Sequence, residues 1–384
     1  MIPRTAARTL RRIARGFPIV VLTGPRQSGK TTLARATFPR KRYVSLEDPS
    51  ERSFAIEDPR GFLGRFPNGA VLDEVQRCPD LLSYLQTRVD GDRRMGQFVL
   101  TGSQNFALLS TVSQSLAGRA GLVQLLPFGL GELKAAGVLP AQLDEVLLRG
   151  LYPPVYGRPV PPANWYAAYT STYIERDIRQ IANVHDISVF QRFVRLCAAR
   201  TAQLLNLTSL ATDCGISQGT ARNWLGILQA TYVAFLLVPH HRNFGKRLVK
   251  TPKLYFHDTG LAAALLNVQG VDHMAVHPVR PALFETLVVN EYLKTRFNGG
   301  LESNLYFWRD NVGTEVDLLV ERGAVLDPVE IKSGQTVNED YFSGLRRWRS
   351  YAAGHSGPPT LVYGGGESFR RSGVRVVAWR DLTP

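Results

Sequence analysis

One segment limits the possible folds of this chain more than any other feature. Residues Gly24–Thr31 read Gly-Pro-Arg-Gln-Ser-Gly-Lys-Thr and match the pattern G-x-x-x-x-G-K-[ST] in full. The apolar stretch Ile19–Leu22 precedes the segment, and a helical stretch begins at Thr32. Because a P-loop forms between a strand and a helix, the pattern predicts an α/β nucleotide-binding domain.

Each part of this P-loop has a predicted role in binding ATP or a similar nucleoside triphosphate. The glycines allow backbone N–H groups to turn inward around the phosphates, and the following helix presents its positive N-terminus. Lys30 reaches the β- and γ-phosphates, and the hydroxyl of Thr31 ligates Mg²⁺. The predicted nucleotide-binding residues are Gly24, Pro25, Arg26, Gln27, Ser28, Gly29, Lys30, Thr31, Thr32, Asp73 and Ser103.

A second signal lies in Ala70–Glu74, an apolar strand that ends in two carboxylates as a Walker B motif does. We expect Asp73 to hold Mg²⁺ through water and Glu74 to orient and deprotonate the attacking water. In isolation, the same segment would be interpreted as a strand capped by solvated acids. Its position downstream of a P-loop favours the Walker B interpretation, and the pair of motifs predicts ATP hydrolysis.

Two further residues are candidates for sensing or stabilising the γ-phosphate. Ser103 follows the predicted strand Phe98–Thr101, where a polar side chain can lie between the P-loop and Walker B strands; a helix N-cap is the alternative. Arg119 precedes the fifth predicted strand and can act on a phosphate as an arginine finger, in trans or in cis. An ordinary surface arginine is the alternative for Arg119.

Short apolar strands alternate with helical stretches in the first third of the chain, which predicts a parallel α/β sheet. These predicted strands are Ile19–Leu22, Tyr43–Leu46, Ala70–Leu72, Phe98–Thr101 and Leu122–Leu126. A stretch rich in Pro and Gly, 150–162, indicates a connector or a folded loop, and helical periodicity dominates from Trp165 to about Leu237. The last part returns to mixed α and β, with predicted strands at Leu305–Trp308, Glu315–Val320, Val329–Ile331 and Thr360–Tyr363.

Charge and composition narrow the class of partner and the compartment. The formal net charge is +14, which favours a polyanion such as nucleic acid, although the excess is almost all Arg and genome composition can inflate Arg. No apolar run approaches the roughly 20 residues of a membrane-spanning helix. The arginines before Phe17 indicate an amphipathic helix that leads into the first strand, and we expect a cytoplasmic protein. Three isolated cysteines imply neither disulfides nor a zinc site.

The middle of the chain contains a predicted helix-turn-helix over 207–225. Thr208 or Ser209 caps the first helix, Gly215 makes the turn, and Ser217 caps the second helix. The exposed residues of that second helix are predicted to be Gln218, Thr220, Arg222 and Asn223. The strands 232–238 and 253–256, with the basic segment 240–247 between them, complete a predicted winged helix with a basic wing. Such a module contacts DNA, or alternatively serves packing or oligomerisation.

With these motifs in view, the sequence resembles prokaryotic AAA-type ATP-binding proteins that carry a C-terminal domain of unknown function. The motifs that carry the resemblance are Gly-Pro-Arg-Gln-Ser-Gly-Lys-Thr, Val-Leu-Asp-Glu-Val-Gln, Leu-Thr-Gly-Ser, Leu-Ala-Gly-Arg, Tyr-Ile-Glu-Arg-Asp, Phe284-Glu285 and the C-terminal Trp-Arg…Glu-Val-Asp…Val-Glu-Ile-Lys series. The resemblance covers nearly the whole chain. It implies an ATPase site of a kind that commonly lies between subunits, and hence a homo-oligomer such as a ring.

The C-terminal series contains the D…E-x-K pattern of PD-(D/E)XK nucleases. Asp317 lies on one predicted strand, and Glu330 and Lys332 lie on the next, where they share a face because strand side chains alternate. Asp317 and Glu330 would bind Mg²⁺ or Mn²⁺, and Lys332 would position or polarise the attacking water. A third carboxylate on the preceding helix is Glu291, which is preferred, or Glu285. A cluster of lysine and carboxylates without catalysis is the alternative.

These predictions combine into one architecture. It comprises an AAA-type P-loop ATPase domain over 1–132, a helical segment over 133–185, a winged helix over 186–270 and a restriction-endonuclease-like α/β domain over 271–384. The leading function is an ATP-dependent, DNA-directed protein in which the nucleotide state controls a metal-dependent nuclease domain. The alternatives are an ATP-driven DNA- or protein-binding switch with an inactive C-terminal domain, and a signalling or stress-response ATPase whose partner is another protein.

Overall fold

The computed structural model describes residues 1–103, 116–175, 186–240, 250–352 and 354–384. The chain forms two compact units. The first contains Met1–Phe128 together with Ala230–Tyr232 and Lys294–Glu302, and the second contains Gly129–Gln229, Val233–Leu293 and Ser303–Pro384. Within the described ranges, no helix has the length and hydropathy needed to cross a membrane.

The first unit is built on a parallel sheet, as the alternating pattern predicts. Its strands are β1 (Ile19–Thr23), β2 (Arg42–Ser45), β3 (Ala70–Asp73), β4 (Phe98–Gly102) and β5 (Ala120–Gln124), in the order β2-β3-β4-β1-β5. All of these strand pairs are parallel. The helices described in this unit are α1 (Ala6–Gly16), α2 (Lys30–Thr37), α3 (Pro49–Glu57), α4 (Pro59–Gly64) and α5 (Leu81–Gly91).

The sheet of the first unit is buried on both faces. Along β1, Ile19 and Val21 belong to one hydrophobic cluster, and Val20 and Leu22 belong to another. Because successive side chains of a strand point to opposite faces, each cluster covers one face of the sheet. This arrangement fixes β1, and with it the loop that begins at Gly24. The predicted N-terminal amphipathic helix is also confirmed as α1, which buries Ala6, Thr9 and Leu10.

The strand order brings the carboxyl ends of three polar-ended strands together. β4 lies between β1 and β3, so Ser103, the P-loop and the Walker B carboxylates emerge from adjacent strands. In parallel α/β sheets, ligands bind beyond the carboxyl ends of the strands. The predicted position of Ser103, between the P-loop and Walker B strands, agrees with this order.

The second unit contains two sheets. Its helices are α6 (Leu130–Ala135), α7 (Leu143–Arg149), α8 (Pro153–Gly157), α9 (Pro162–Tyr169), α10 (Ile187–Ala199), α11 (Leu207–Cys214), α12 (Gln218–Ala230), α13 (Thr259–Leu265), α14 (Val271–Val276), α15 (Arg280–Asn298), whose last turns belong to the first unit, and α16 (Ser343–Tyr351). The smaller sheet has the order β6-β8-β7 and is antiparallel, with β6 (Gln203–Leu204), β7 (Ala234–Leu237) and β8 (Lys253–Phe256).

The larger sheet of the second unit has the order β13-β14-β12-β11-β10-β9. Its strands are β9 (Leu305–Arg309), β10 (Glu315–Arg322), β11 (Val325–Lys332), β12 (Thr360–Tyr363), β13 (Phe369–Arg371) and β14 (Val374–Ala378). β9, β10 and β11 are antiparallel, whereas β12 and β14 run parallel to β11. α16 packs on this sheet through Leu345 and Trp348, which share a hydrophobic cluster with Trp308 and Leu361.

Candidate functional site

The backbone of the P-loop depends on its two glycines. Gly24 has φ +147°, and a Cβ atom there would lie 2.1 Å from the carbonyl oxygen of Leu125. Gly29, with φ +91°, immediately precedes α2. Both conformations disfavour L side chains, and the first also lacks room for one. The predicted glycine positions therefore carry the geometry that the motif requires.

Lys30 lies inside the loop. Its Nζ atom is buried and donates hydrogen bonds to the carbonyl oxygens of Gly24, at 3.0 Å, and Pro25, at 2.8 Å. Burial lowers the pKa of Lys30 to about 8, although the nearby charges of Glu74 and Asp73 act in the opposite direction. The ammonium group is thus held near the Walker B carboxylates by backbone oxygens.

The other predicted loop residues differ in exposure. Pro25 and Ser28 are buried, whereas Gln27 and Thr32 are exposed. Gln27 has φ 66°, an uncommon value for a residue that is not glycine. Arg26 is partly exposed, and one of its guanidinium nitrogens lies 3.9 Å from a carboxylate oxygen of Glu47.

Asp73 connects three strands of the sheet through its carboxylate. Its Oδ2 atom accepts hydrogen bonds from the hydroxyl of Thr31, at 2.8 Å, and from the hydroxyl of Tyr43, also at 2.8 Å. Its Oδ1 atom accepts from the hydroxyl of Thr101. Thr31 and Asp73 therefore meet as the predicted Mg²⁺ pair, and a hydroxyl plus a carboxylate is an oxygen donor set that Mg²⁺ prefers. Sequence reasoning missed Tyr43 and Thr101.

Glu74 adopts the left-handed conformation, with φ 56° and ψ 46°. Its Oε2 atom accepts a hydrogen bond from the hydroxyl of Ser103, at 3.1 Å, and another from the side-chain amide of Gln76. The same amide lies 3.3 Å from the Ser103 hydroxyl. The predicted pair of Glu74 and Ser103 thus comes together, and Gln76 is an additional member that the sequence did not single out. A strained backbone at a carboxylate held in this way is typical of functional sites.

Arg119 makes an ion pair in the same chain. Its guanidinium group bonds both carboxylate oxygens of Asp90, at 2.6 and 2.8 Å, and Nη1 donates to the carbonyl oxygen of Ala117. The side chain is about one-third exposed. Its role as an arginine finger remains a prediction.

A second polar cluster lies in the second unit. Carboxylate oxygens of Glu285, Glu315 and Asp317 lie within 4.8 Å of one another, which is close enough for one cation to bind all three. Asp317 is buried, whereas Glu285 and Glu315 are half-buried. Glu285 comes from α15 and the other two from β10, so the helix that precedes the strands contributes to the cluster.

The register of β10 supports the position of Asp317. The pairing with β9 is irregular between Val316 and Leu319, as in a β-bulge, and bulges redirect side chains. Asp317 Oδ2 accepts a hydrogen bond from the backbone N–H of Ile331 at 2.8 Å. Lys332 Nζ lies 3.5 Å from the same oxygen and 2.5 Å from Glu330 Oε1. The residues of the D…E-x-K pattern are therefore adjacent.

One carboxylate oxygen of Glu330 lacks a hydrogen-bond partner among the described residues. This oxygen, Oε2, is buried. Burial, and then the charge of Asp317, raises the pKa of Glu330 despite the opposing effect of Lys332. Burial likewise raises the pKa of Glu285, against the effect of Lys253. A buried acceptor without a partner is costly and suits a site that takes a cation or a proton.

Lys253 on β8 is part of this cluster, and no sequence signal indicated it. Its Nζ atom lies 2.8 Å from Glu285 Oε1 and also contacts Glu315 Oε1. The Tyr255 hydroxyl donates to Glu285 Oε1 at 2.5 Å. The Lys253 side chain is 4% exposed. The sequence predicted that this strand belongs to a DNA-facing wing, but Lys253 points into the protein.

The preferred helix carboxylate, Glu291, lies outside the carboxylate cluster, and Glu285 lies within it. The Oε2 atom of Glu291 accepts a hydrogen bond from the backbone N–H of Leu130 at 2.8 Å, at the start of α6. The carboxylate therefore supplies an acceptor to a helix N-terminus, and Glu285 is the helix residue that joins Asp317. The two positions are six apart on α15, so only one of them can face the cluster.

The predicted helix-turn-helix agrees with α11 and α12 in position. The first cap differs, because Asn206 accepts from the backbone N–H of Ser209. Gly215 makes a left-handed turn, and Ser217 Oγ accepts from the backbone N–H of Thr220. Three predicted recognition residues are exposed on α12, namely Gln218, Arg222 and Asn223, and Thr220 is half-buried. The basic segment 241–249, and residues 176–177 of the Tyr-Ile-Glu-Arg-Asp motif, lie outside the described residues.

Comparisons with known proteins match three successive parts of the chain to family models. Residues 16–134 match the AAA domain family, residues 140–272 match a domain of unknown function (DUF8612), and residues 280–382 match another domain of unknown function (DUF4143). The P-loop fold and the AAA match together define an AAA-type ATPase with a P-loop that binds ATP. Uncharacterized proteins of Mycobacterium tuberculosis and Mycobacterium bovis are each 33% identical over 338 residues, which span 87% of this chain and 74% of each relative. The chain belongs to the same family as these mycobacterial proteins.

The solved structures to which the chain shows similarity are more distant in sequence. The Walker-type ATPase of Pyrococcus abyssi is 17% identical with a TM-score of 0.48, over 69% of this chain and 96% of that one. The RuvB Holliday junction branch migration motor of Thermotoga maritima is 17% identical with a TM-score of 0.30, over 61% and 89% of the two chains.

Proposed function

We propose that the first unit hydrolyses ATP with Glu74 as the general base. The observation that carries this proposal is the pair of adjoining hydrogen-bonded groups at the ends of β3 and β4. Thr31 and Asp73 meet at 2.8 Å, and the next residue, Glu74, is held by Ser103 at 3.1 Å. A cation-binding pair beside an oriented carboxylate is the arrangement that phosphoryl transfer to water requires.

Each residue has a distinct role in the proposed reaction. Thr31 and Asp73 would hold Mg²⁺, which neutralises charge on the phosphates when bound. Lys30 exchanges its carbonyl partners for phosphate oxygens, and Glu74 accepts the proton of the attacking water. Ser103 and Gln76 orient the Glu74 carboxylate.

The proposed role of Lys30 is tested by Lys30→Ala. The variant should lose tight ATP binding and keep its fold, because the removed Nζ atom bonds only within the loop among its described partners. The measurements are nucleotide affinity by calorimetry and folding by circular dichroism. The matched control is Lys134→Ala, which removes an exposed lysine paired with Asp381. Unchanged ATP affinity in folded Lys30→Ala protein would contradict the role.

We further propose that the protein acts on DNA and that its second unit carries a nuclease-like site for Mg²⁺ or Mn²⁺. Four carboxylates supply oxygen ligands, namely Glu285, Glu315, Asp317 and Glu330, and Lys332 lies beside them. The order of helix α15, antiparallel strands β9–β11, helix α16 and strand β12 is consistent with the restriction-endonuclease-like fold that the sequence resembles. The donor set fits a hard divalent cation.

Support for DNA as the partner comes from charge and from the middle segment. The net charge of +14 favours a polyanion, and α12 exposes Arg222 and Asn223 in the position of a recognition helix. The succession α10, β6, α11, α12, β7 and β8 is consistent with the predicted winged helix. If phosphate contacts dominate binding, the logarithm of the binding constant for DNA will fall linearly with the logarithm of the salt concentration.

A second candidate is a switch that binds DNA or protein without cleaving it. Lys253 and Lys332 already supply two positive charges to the carboxylates, which is what a cluster without catalysis would contain. In this case ATP hydrolysis would change the affinity for the partner, and the second unit would have no turnover.

Nicking of supercoiled DNA in the presence of Mn²⁺ separates the two candidates. The nuclease proposal expects nicking by the wild-type protein and its loss in Asp317→Ala and in Lys332→Ala. Glu291→Gln is the matched control, since Glu291 lies in the same unit but bonds Leu130 instead. Salt-dependent DNA binding would instead support the switch if nicking is absent with ATP, with ADP and without nucleotide.

A further inference from the structure

We propose that Lys253 is a built-in cation that competes with a divalent metal ion for the carboxylates of Glu285, Glu315 and Asp317. This inference rests on the divalent-cation site proposed above and adds a residue outside the D…E-x-K pattern that controls it. The Lys253 ammonium group bonds Glu285 at 2.8 Å and also contacts Glu315. These are two of the three carboxylates whose oxygens can share one ion.

The geometry makes the two cations mutually exclusive. Glu285 Oε1 already accepts from both Lys253 and the Tyr255 hydroxyl, and Lys253 also contacts the facing oxygen of Glu315. A metal ion that binds the two carboxylates through these oxygens must take them from the ammonium group. Three close carboxylates repel each other unless a cation or a proton offsets part of their charge, and either of the two cations would do so.

The formal charge of the cluster changes little when a divalent ion replaces Lys253. With every group ionised, Glu285, Glu315, Asp317 and Glu330 contribute four negative charges. Among the described residues, the cations in contact with them are Lys253, Lys332 and Arg309, whose Nη1 lies 3.1 Å from Glu315 Oε2. The net charge is therefore −1 with Lys253 inside and zero when a divalent ion replaces it. Lys253 thus stabilises the carboxylates when no metal is bound and opposes metal binding until its ammonium group leaves.

The position of Lys253 in the fold gives this competition a consequence. Lys253 is on β8, whose partners are β6 and β7 of the small sheet, whereas Glu315 and Asp317 are on β10 of the larger sheet. A change at the small sheet, which follows the predicted recognition helix α12 in the sequence, would therefore favour or oppose the withdrawal of Lys253. Binding of a partner to that segment would be coupled to metal affinity through this one side chain.

The test is a titration with Mn²⁺, without nucleotide or DNA, followed by the electron paramagnetic resonance signal of the free ion. Lys253→Met removes the ammonium group and keeps the length of the side chain. We expect its Kd for Mn²⁺ to fall by at least about tenfold relative to the wild type. Lys134→Met, which changes an exposed lysine outside the cluster, should leave the Kd unchanged. Adding Asp317→Ala to Lys253→Met should abolish the gain, which assigns it to this site and not to the P-loop.

A second measurement covers the case in which Lys253→Met does not fold, since the substitution removes one cation from a cluster of buried carboxylates. This measurement uses the wild-type protein. The extent of chemical acetylation of Lys253, which reports whether its amine is accessible, is measured by mass spectrometry with and without saturating Mn²⁺. The inference expects Lys253 to be protected without metal and modified with it, while Lys134 is modified equally in both.

The outcomes distinguish the inference from the proposal beneath it. Equal Mn²⁺ affinities in wild type and folded Lys253→Met, or protection of Lys253 at saturating Mn²⁺, would overturn the competition and leave the metal site standing. Absence of Mn²⁺ binding in both proteins would overturn the metal site, and the inference with it.

Discussion

Single residues of the ATP site differ in how readily the sequence reveals them. Thr31, Asp73 and Glu74 lie in contiguous motifs whose chemistry is fixed by local spacing, so they could be predicted. Tyr43 and Thr101 bond the same carboxylate but belong to other strands. Their contact depends on the order β2-β3-β4, which a linear pattern does not contain. Burial, followed by the hydrogen bond to Asp73, raises the pKa of Tyr43 to about 12, so it donates at neutral pH.

Glu74→Gln should retain ATP and lose turnover. The amide cannot accept the proton of the attacking water, whereas the Thr31–Asp73 pair that would hold Mg²⁺ is untouched. General-base loss of this kind costs about 10²–10⁴-fold in rate. Phosphate release measures turnover, and calorimetry measures ATP affinity. Since Gln76 and Ser103 also contact Glu74, Gln76→Ala should reduce turnover less and is the matched control. Wild-type turnover in Glu74→Gln would move the base elsewhere.

The C-terminal cluster was only partly predictable at the residue scale. Asp317, Glu330 and Lys332 follow from strand alternation on neighbouring strands. Glu315 could also have been predicted, because it lies two residues before Asp317 on an alternating strand and shares its face. Lys253 could not be found, because a lone lysine on a predicted wing gives no sign that it points inward.

At the scale of elements, the predicted strands agree with the sheets in position, although β11 begins four residues before its predicted start at Val329. The predicted bounds Ile19–Leu22 and Thr360–Tyr363, for example, differ from β1 and β12 by at most one residue. The hairpin of β13 and β14 was missed, since Phe369–Arg371 is exposed and carries two arginines instead of an apolar pattern. The irregular pairing of β10 was also missed, because register is a property of two strands and not of one.

The close approach of α16 to the carboxylate cluster depends on Gly344. A Cβ atom there would lie 2.4 Å from the backbone oxygen of Glu315 and 3.2 Å from Glu330 Oε2. Gly344→Ala should therefore push the helix from the sheet and lower the free energy of unfolding by about 1–3 kcal/mol. Urea denaturation measures this value.

The matched control for that prediction is Gly131→Ala on α6, where no atom lies within 4 Å of the added Cβ. Alanine is the better helix former by up to about 1 kcal/mol, so Gly131→Ala should be neutral or stabilising. If Gly344→Ala leaves the free energy of unfolding as unchanged as Gly131→Ala does, α16 does not depend on the absence of a side chain at Gly344.

At the scale of the whole molecule, the ATPase unit is not a contiguous stretch of sequence. It includes Ala230–Tyr232 and Lys294–Glu302, far from the P-loop along the chain. The Tyr232 hydroxyl lies 2.9 Å from Thr23 Oγ1, one residue before Gly24, and Lys294 Nζ donates to the carbonyl oxygen of Phe128 at 2.7 Å. Sequence patterns are local, so the predicted boundary at residue 132 could not anticipate these returns of the chain.

One of these returns places Tyr232 against the strand that leads into the P-loop. Tyr232 has φ 57°, an uncommon value for a residue that is not glycine, and it lies two residues after the end of α12 in the sequence. A shift of Thr23 on nucleotide binding would act on Tyr232 through their hydrogen bond. Coupling of this kind requires two arrangements of the same contact, which ATP would bias.

Assembly is the remaining property of the whole molecule, and Arg119 is the residue that tests it. Arg119 is held by Asp90 in the same chain, but an exposed ion pair contributes little stability and can be exchanged for a phosphate. If Arg119 acts in trans, Arg119→Ala and Lys30→Ala should each lack ATPase activity and partly restore it when mixed. Random pairing gives an intact P-loop facing an intact finger at about a quarter of the interfaces of a cyclic assembly.

Asp90→Ala is the control that separates the two roles of Arg119. It breaks the ion pair and leaves the guanidinium group free to reach a neighbouring subunit, so activity should be retained or increased. If Asp90→Ala is as inactive as Arg119→Ala, the arginine acts through its partner within the chain. If mixed assemblies form, as shown by native mass spectrometry, and no activity returns, Arg119 does not act in trans. In that case it is a surface arginine, or one that acts only on the nucleotide of its own chain.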